Sequence, residues 1–474
     1  MRLKKITLKN YRCFETLTID FEEQLTVLVA ENGVGKTAIL DAIAVALGPF
    51  IGGFDTGVRK DFKYRDARIG IKKGPQLRIK FSDDQYRPQG NASQRMESKY
   101  PVSLVASGMI ERRLEQWSRE LTGEKTQTTF GKAKVIIDYA KKLQQQVRAD
   151  EQVSLPIIAY YGTGRLWKQI QARNRPPAQS HSRLYGYHDA LNPDSTYKAF
   201  EKWFTDKSLV EYHNLMRNSI NLAKSFINNG EYKHSDESSN YSTELEHVRK
   251  AINQCISISG WKTLEYDLEW RELVVRLNHG QPGFDSFIPA AQLSDGVKAM
   301  LSLTADIAYR CVQLNPYLAS PTEETNGIVL IDEIDLHLHP KWQQTVLSDL
   351  QKTFPSIQFI VTTHSPQVLS TVHRESIRLL GKDNAGHDVA VMPMAESYGE
   401  ISSDVLESIM HVNPQPPVAE KVDLDRLTAW VDQGQYNTPE AISLFADIKA
   451  VFGETHPQLQ KLERSIQRQE LLKS

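Results

Sequence analysis

The segment AENGVGKT, residues 30–37, places two glycines, a lysine and a threonine where a backbone could close around an anion. Successive N–H groups pointing inward at the start of a helix make such a cradle, and glycines let the chain turn tightly and come close. Gly33 and Gly35 hold the inner positions. Lys36 is expected between the β- and γ-phosphates of a nucleoside triphosphate, and the Thr37 hydroxyl on Mg²⁺. Glu31, Asn32 and Val34 complete the loop. Ala30 stands where the usual pattern has its first glycine, and a methyl group is the smallest departure from it.

The metal needs a second anchor. GIVLIDE, 327–333, is an apolar run that ends in Asp332 and Glu333. Buried strands rarely end in two adjacent acids without a cation or a water to hold. Asp332 is expected to hold Mg²⁺ through its water shell, and Glu333 to polarise the water that attacks the γ-phosphate. His364 lies in TTHSP after another apolar run, at the carboxyl end of an expected strand. That end is the ligand edge of an α/β sheet, so His364 is expected to hydrogen-bond the γ-phosphate. LSDG, 293–296, sets Ser294 and Gly296 just ahead of a helix, which makes a second anion-binding N-terminus. Two helix starts suggest a composite site, with ATP between Lys36 of one protomer and Ser294 of another. The plainer alternative is that Ser294 only caps its own helix.

These residues need elements to carry them. LKKITLKNY and LTIDFEEQLTVLVA read as strands, the second running into the loop. TAILDAIAVALG is apolar nearly all round and reads as a buried helix that stops at Gly48. ARIGIKKGPQLRIKF carries a strand signal, residues 109–150 read as charged and helical, and SLPIIAYYGTGR as a short strand entering a glycine loop. Residues from about 195 to 256 read as helical, broken by the polar run NNGEYKHSDESSNYS. Strand signals return near 263–278, a helix is expected from the LSDG segment to about 314, and IQFIVTTHSP is a strand. The tail from 403 reads as helical, with Thr438, Pro439 and Glu440 opening a helix that ends at Gly453.

Composition narrows the class. The 474 residues are 40% apolar and 24% charged, with a formal net charge of −1. Residues 1–180 are net basic and the remainder net acidic, so one half suits phosphates and the other a protein partner. Cys13, Cys255 and Cys311 are far apart and form no CxxC pair, which reads as free thiols in a reducing compartment. No apolar stretch suits a signal peptide or a membrane span. A cytoplasmic protein without membrane contact is expected.

The set NYRCF, AENGVGKT, LSDG, IVLIDEIDLHLHP and TTHSP resembles the ABC-type ATPases of the RecF, OLD and SMC group. The resemblance implies a dimer with two ATP sandwiches. It also implies that Asp335 links the two sites across the dimer and that Arg12 lies near the nucleotide, a structural role for Arg12 remaining open. Over more of the chain, LPIIAYYGTGRLW, DLHLHPKWQQTVLSDLQKTFPSIQFIVTTHSPQVL and ESYGEISSDVLESIM resemble the PtuA ATPases of Septu anti-phage defence and the similar ATPases that work beside retrons. That resemblance implies a complex with an HNH nuclease of the PtuB type and a role in the response to phage. Asp295 and Val297 replace the Gly and Gln of transporter ATPases, which argues against a transport subunit. No glutamine loop is evident; AYYGTGR, with Arg165, is the candidate for its place.

His337 and His339 form an HxH pair, but neighbours two apart on a helix face different ways and Pro340 opens a helix just after them. VRKDFKYRDARIGIKK, 58–73, and the group Arg165, Lys168, Arg173, Arg175 and Arg183 could track a nucleic acid backbone or be solvated surface. Neither an HNH signature nor a spaced acidic metal site is present, so nuclease activity would come from a partner. DNA therefore stands as a second candidate partner, in a RecF-like repair or maintenance role.

The expected architecture is α/β: an ABC-type (RecF/OLD/SMC-like) P-loop ATPase with an inserted helical lobe and a helical C-terminal tail. Residues 1–100 and 261–400 would form the ATPase lobe, 101–260 the inserted helical lobe, and 401–474 the partner-binding tail.

Overall fold

The computed structural model describes residues 1–73, 78–80, 86–88, 94–164, 182–193, 197–229, 243–256, 260–277 and 286–473. They form two compact units, 1–410 and 411–474.

The strands of the first unit are β1 (Arg2–Tyr11), β2 (Phe14–Asp20), β3 (Leu25–Val29), β4 (Ile69–Lys73), β5 (Arg78–Lys80), β6 (Tyr86–Pro88), β7 (Gln94–Ser98), β8 (Val102–Ile110), β9 (Arg113–Leu121), β10 (Ile157–Tyr161), β11 (Trp261–Asp267), β12 (Glu272–Leu277), β13 (Ser286–Pro289), β14 (Gly327–Ile331), β15 (Ile357–Thr362), β16 (Ile377–Lys382) and β17 (Asp388–Val391). Its helices are α1 (Lys36–Ile51), α2 (Lys134–Arg148), α3 (Lys198–Asn229), α4 (Thr243–Ile256), α5 (Asp295–Leu314), α6 (Pro321–Glu324), α7 (Pro340–Gln343), α8 (Val346–Thr353), α9 (Pro366–Leu369) and α10 (Ser402–Ser408).

A six-stranded sheet runs in the order β10-β14-β15-β3-β16-β17. All its pairings are parallel except that of β17 with β16. Every residue of β3, β10, β14 and β15 is buried, which is why these segments read as unbroken apolar runs: a parallel sheet is covered on both faces. Parallel register also brings the carboxyl ends of β14, β15 and β3 to one edge. A second, antiparallel sheet has the order β2-β1-β8-β9, and a third the order β11-β12-β13. Leu3, Ile6, Leu8, Ile39, Ile43 and Leu47 lie in the one large core that both main sheets share.

The structure corrects four expectations. Residues 102–121 are not helical; they form the hairpin β8–β9, joined to β1. Their alternation of buried and half-buried residues is masked by charges such as Arg119, which is fully buried and donates to Val45 O and Thr129 O. The inserted region is therefore not a helical lobe beginning at 101: its first 21 residues extend one sheet, and β10 is a strand of the other. Helix α1 does not stop at Gly48 but continues through Pro49 to Ile51, because Phe50 and Ile51 are fully buried and hold the last turn in place. Finally, the tail begins later than 401, since Val405 and Ile409 belong to the large core.

The second unit has three helices, α11 (Lys421–Asp432), α12 (Pro439–Phe452) and α13 (Pro457–Lys473). They enclose their own small core of Leu424, Leu427, Val431, Tyr436, Ile448, Leu459 and Leu462. Thr438 caps α12 as expected, its side chain accepting from the Ala441 N–H. No helix among the described residues is long and apolar enough to cross a membrane.

Candidate nucleotide site

The loop between β3 and α1 has the backbone its glycines foretold. Gly35 lies at φ 110°, and a methyl group there would come within 2.5 Å of Cys13 Sγ and 2.7 Å of the Phe14 ring. No other residue type meets both constraints. Lys36 is buried, and its Nζ donates to Ala30 O at 2.8 Å and Glu31 O at 3.1 Å. This answers why alanine serves at position 30: the position contributes a carbonyl, and its methyl lies against the core. Glu31, Asn32 and Gly33 are exposed, while Val34 and Gly35 are half-buried. Burial holds the Lys36 ammonium below its ordinary pKa, although Asp332, Glu333 and Asp335 pull the other way. An anion in the loop would relieve that penalty.

Asp332 ends β14 and is buried to 1% exposure, so its carboxylate must be satisfied internally. Thr37 Oγ1 donates to Oδ2 at 2.7 Å, and Thr362 Oγ1 donates to Oδ1 at 2.6 Å. The phosphate loop, the acidic strand end and the end of β15 are thus joined by two hydrogen bonds. Thr37 and Asp332 together offer a hydroxyl and a carboxylate, hard oxygen donors that suit Mg²⁺. Among the described residues, no group of three or more His, Cys, Asp or Glu is placed to hold a metal, and His337 and His339 join none. His339 instead caps the short helix α7, accepting from the Lys341 N–H through Nδ1.

Glu333 takes a left-handed backbone, φ 47°, and its N–H donates to the Thr362 hydroxyl at 2.7 Å. That single hydroxyl orients both acids, a role sequence reading missed. The signal was the paired threonine of TTHSP. The second threonine does the same one step on: Thr363 Oγ1 donates to Asp335 Oδ1 at 2.6 Å, and the His364 N–H approaches the same oxygen at 3.4 Å. His364 is half-buried at the carboxyl end of β15, the edge where Asp332 and the phosphate loop also lie.

Ser294 and Gly296 sit at the start of α5 and are not hydrogen-bonded to the loop. Ser294 is exposed, and its side chain makes no capping bond to its own helix. Arg12 is tied down: Nε donates to Asp66 and NH1 to Asp41, each at 2.8 Å, and Asp41 also takes Lys60 at 2.6 Å. Burial would raise the Asp41 carboxyl, yet Lys60 and Arg12 outweigh it and hold it below the ordinary value. Asp41 lies on α1, so Arg12 braces the helix that carries Lys36 and Thr37.

The two basic patches fare differently from a free cationic stripe. In 58–73, Arg59 pairs with Asp61, Lys60 with Asp41 and Arg68 with Glu15. Arg183 faces inward, donating to Leu314 O at 2.7 Å and Val153 O at 2.6 Å. Arg165, Lys168, Arg173 and Arg175 lie outside the described residues, as do residues 230–242 of the polar run.

The loop strand β3 and the acid strand β14 are not adjacent; β15, bearing His364, stands between them. A phosphate loop and an acidic strand end bridged across an intervening strand in this way define a P-loop ATPase of the ABC type. The chain belongs to the AAA domain family, whose model matches residues 5–257. It is 29% identical to the Retron Ec83 probable ATPase of Escherichia coli, over 99% of this chain and 87% of that protein. It is 28% identical to the Retron Vc95 probable ATPase of Vibrio cholerae serotype O1 biovar El Tor, over 88% of this chain and 80% of that one. A shorter stretch, 17% of this chain and 11% of the other, is 45% identical to the Septu protein PtuA of Bacillus mycoides (strain KBAB4).

Proposed function

We propose that this ATPase is the nucleotide-sensing subunit of a retron- or Septu-type anti-phage defence complex, and that it controls a partner HNH nuclease through an ATP-sandwich dimer. The observation that carries the dimer is Ser294: an exposed serine at the start of a 20-residue helix, with its hydroxyl not spent on its own cap. A hydroxyl left open at a helix N-terminus suits a second protomer's γ-phosphate. The defence role rests on the likeness to the two retron ATPases over most of the chain.

In this reading Lys36 neutralises the β- and γ-phosphates and the backbone N–H groups of residues 33–37 cradle them. Thr37 and Asp332 would hold Mg²⁺, which would supply charge neutralisation at the phosphates. Glu333 accepts the proton of the attacking water, and His364 hydrogen-bonds the γ-phosphate and registers its loss. Asp335 lies beside His364 and would face the partner's site. Losing the contacts to the γ-phosphate shifts the open–closed equilibrium by the difference in ATP affinity between the two states. The helical unit 411–474 would carry the nuclease.

Glu333→Gln tests the reading. With ATP and Mg²⁺ it should sediment as a stable dimer while hydrolysis stops. A Glu333→Gln protein that turns over ATP at the normal rate would overturn the role given to Glu333. One that stays monomeric in saturating ATP would overturn the sandwich. Co-purification with an HNH protein encoded beside the gene, with and without ATP, tests the partner.

A further inference from the structure

A buried polar network connects the Mg²⁺-site acid to the helix that begins at Ser294. The Asp332 N–H donates to Tyr161 O at 2.8 Å, so the end of β10 is fastened to the end of β14. The Tyr161 hydroxyl donates to Asp306 Oδ2 on α5 at 2.7 Å. Arg310, one turn further along α5, donates to the same oxygen at 2.7 Å. It also donates to Gly186 O at 2.8 Å and His188 O at 3.0 Å. The segment it grips lines the other side of β10, where the Tyr160 N–H donates to Ala190 O and the Gly162 N–H to Pro193 O. The network is nearly dry: Tyr161, Asp306 and Arg310 are 4%, 4% and 3% exposed.

A buried ion pair with a shared phenol is weak evidence for stability, because desolvating the charges offsets most of their attraction. It does specify position. Helix α5 runs without a break from Asp295 to Leu314, so at a rise of about 1.5 Å per residue the turn that carries Asp306 and Arg310 is continuous with the end at Ser294. A shift of the Ser294 end along the helix axis would be passed to Asp306 and Arg310. Asp306 Oδ1 is buried and has no hydrogen-bond partner among the described residues. A buried carboxylate oxygen left in that state is a place where a second arrangement can gain a bond. Burial and Asp306 keep the Tyr161 phenol far above its ordinary pKa, so it stays a neutral donor across the physiological range.

We propose that Tyr161 is a positioning residue for ATP hydrolysis: with Asp306 and Arg310 it couples the seating of Ser294 on a partner's nucleotide to the placement of Asp332 and Glu333. The inference rests on the ATP-sandwich reading above. It can be tested apart from that reading, because the Tyr161 side chain is buried and its hydroxyl is spent on Asp306.

The test is Tyr161→Phe, which keeps the buried ring and removes only the hydroxyl, made both alone and combined with Glu333→Gln. In the combined variant, ATP-driven association by sedimentation should match that of Glu333→Gln to within about twofold. In the single variant, kcat should fall about tenfold at unchanged KM, the pattern of an interaction expressed in the transition state. A purely structural role would lower the melting temperature and leave kcat per folded molecule unchanged, which would overturn the proposal. Failure of Glu333→Gln itself to associate would overturn the sandwich and the coupling together; normal association with unchanged kcat in Tyr161→Phe would overturn the coupling alone. Hydrogen exchange in the unsubstituted chain supplies a readout that does not depend on the variant folding. On ATP-driven association, amides of 157–162 and 301–310 should change protection together, and independent changes would count against the link.

Discussion

The α-carbon of Gly296 approaches the backbone of His337 so closely that an added methyl would stand 2.6 Å from the His337 carbonyl oxygen. The start of α5 therefore rests directly on the loop that follows Asp332 and Glu333. Gly296 is needed for space rather than for a left-handed backbone. Gly296→Ala should cost about 1–3 kcal/mol through overpacking, read as a lowered melting temperature. It should also weaken ATP-driven association of Glu333→Gln, because the Ser294 end of the helix is displaced. Unchanged association in a well-folded Gly296→Ala protein would show that the loop yields without moving Ser294.

If Lys36 contacts the phosphates as proposed, ATP affinity should depend on pH. Burial lowers its pKa, so the proton leaves earlier on the alkaline side than in a free lysine. The deprotonated amine cannot neutralise a phosphate. Above the depressed pKa, the ATP dissociation constant should rise roughly tenfold for each pH unit. For the nucleotide-free protein the sign is opposite: shedding a costly buried charge makes a small favourable contribution as pH rises through the same value. Equilibrium titration of ATP between neutral and strongly alkaline pH would show the break. Lys36→Arg should lack it, and Lys36→Ala should bind too weakly to measure.

Thr362 is the hydroxyl that holds both acids, donating to Asp332 Oδ1 and accepting from the Glu333 N–H. Thr362→Val keeps the shape and removes both bonds. Partners that orient a metal ligand are worth about 10–100-fold in metal affinity or activity. The Mg²⁺ concentration for half-maximal hydrolysis should rise by that order, while ATP binding measured without metal stays within about twofold. An unaltered Mg²⁺ dependence would remove Thr362 from the site.

The three thiols should separate by exposure. Cys255 and Cys311 are buried, and burial pushes the Cys255 thiol up to about 11 and Cys311 higher still. Cys13 is exposed, with its Sγ 3.5 Å from Val34 O on the phosphate loop. Burial raises its pKa as well, so its reaction should be slow at neutral pH. Titration with a disulfide reagent should find one reactive thiol in the native protein and three in denaturant, and ATP should slow the labelling of Cys13. Equal rates with and without ATP would place the nucleotide away from Val34.

Arg12 separates bracing from direct contact. It pairs with Asp41 and Asp66 around α1. Arg12→Ala should cost about 1–2 kcal/mol of stability, modest because the guanidinium is one-third exposed and partly screened. If bracing is its only role, ATP affinity per folded molecule should change by less than about threefold. A loss of tenfold or more with the melting temperature preserved would give Arg12 a contact with the nucleotide.

Local signals carried far in this chain. The loop 30–37, the strand before it and the start of the helix after it are contiguous, so residue type and spacing alone mark them out. The same holds for Thr438 as a cap and for the buried strands at 157–161, 327–331 and 357–362, whose apolar runs follow from coverage on both faces. Tertiary structure decided what depends on strand order. Thr37 meets Asp332 across 295 residues, and no periodicity encodes that distance. Thr362 became the bridge because β15 falls between β14 and β3, and Gly296 proved a contact with His337 only once α5 was laid on the neighbouring loop. The hairpin at 102–121 was hidden for a related reason: its charges look like a solvated helix until packing buries Arg119 among carbonyls. A short-range pattern reports what a segment can bury, whereas the partner that buries it is set by chain topology, and topology is a property of the whole fold.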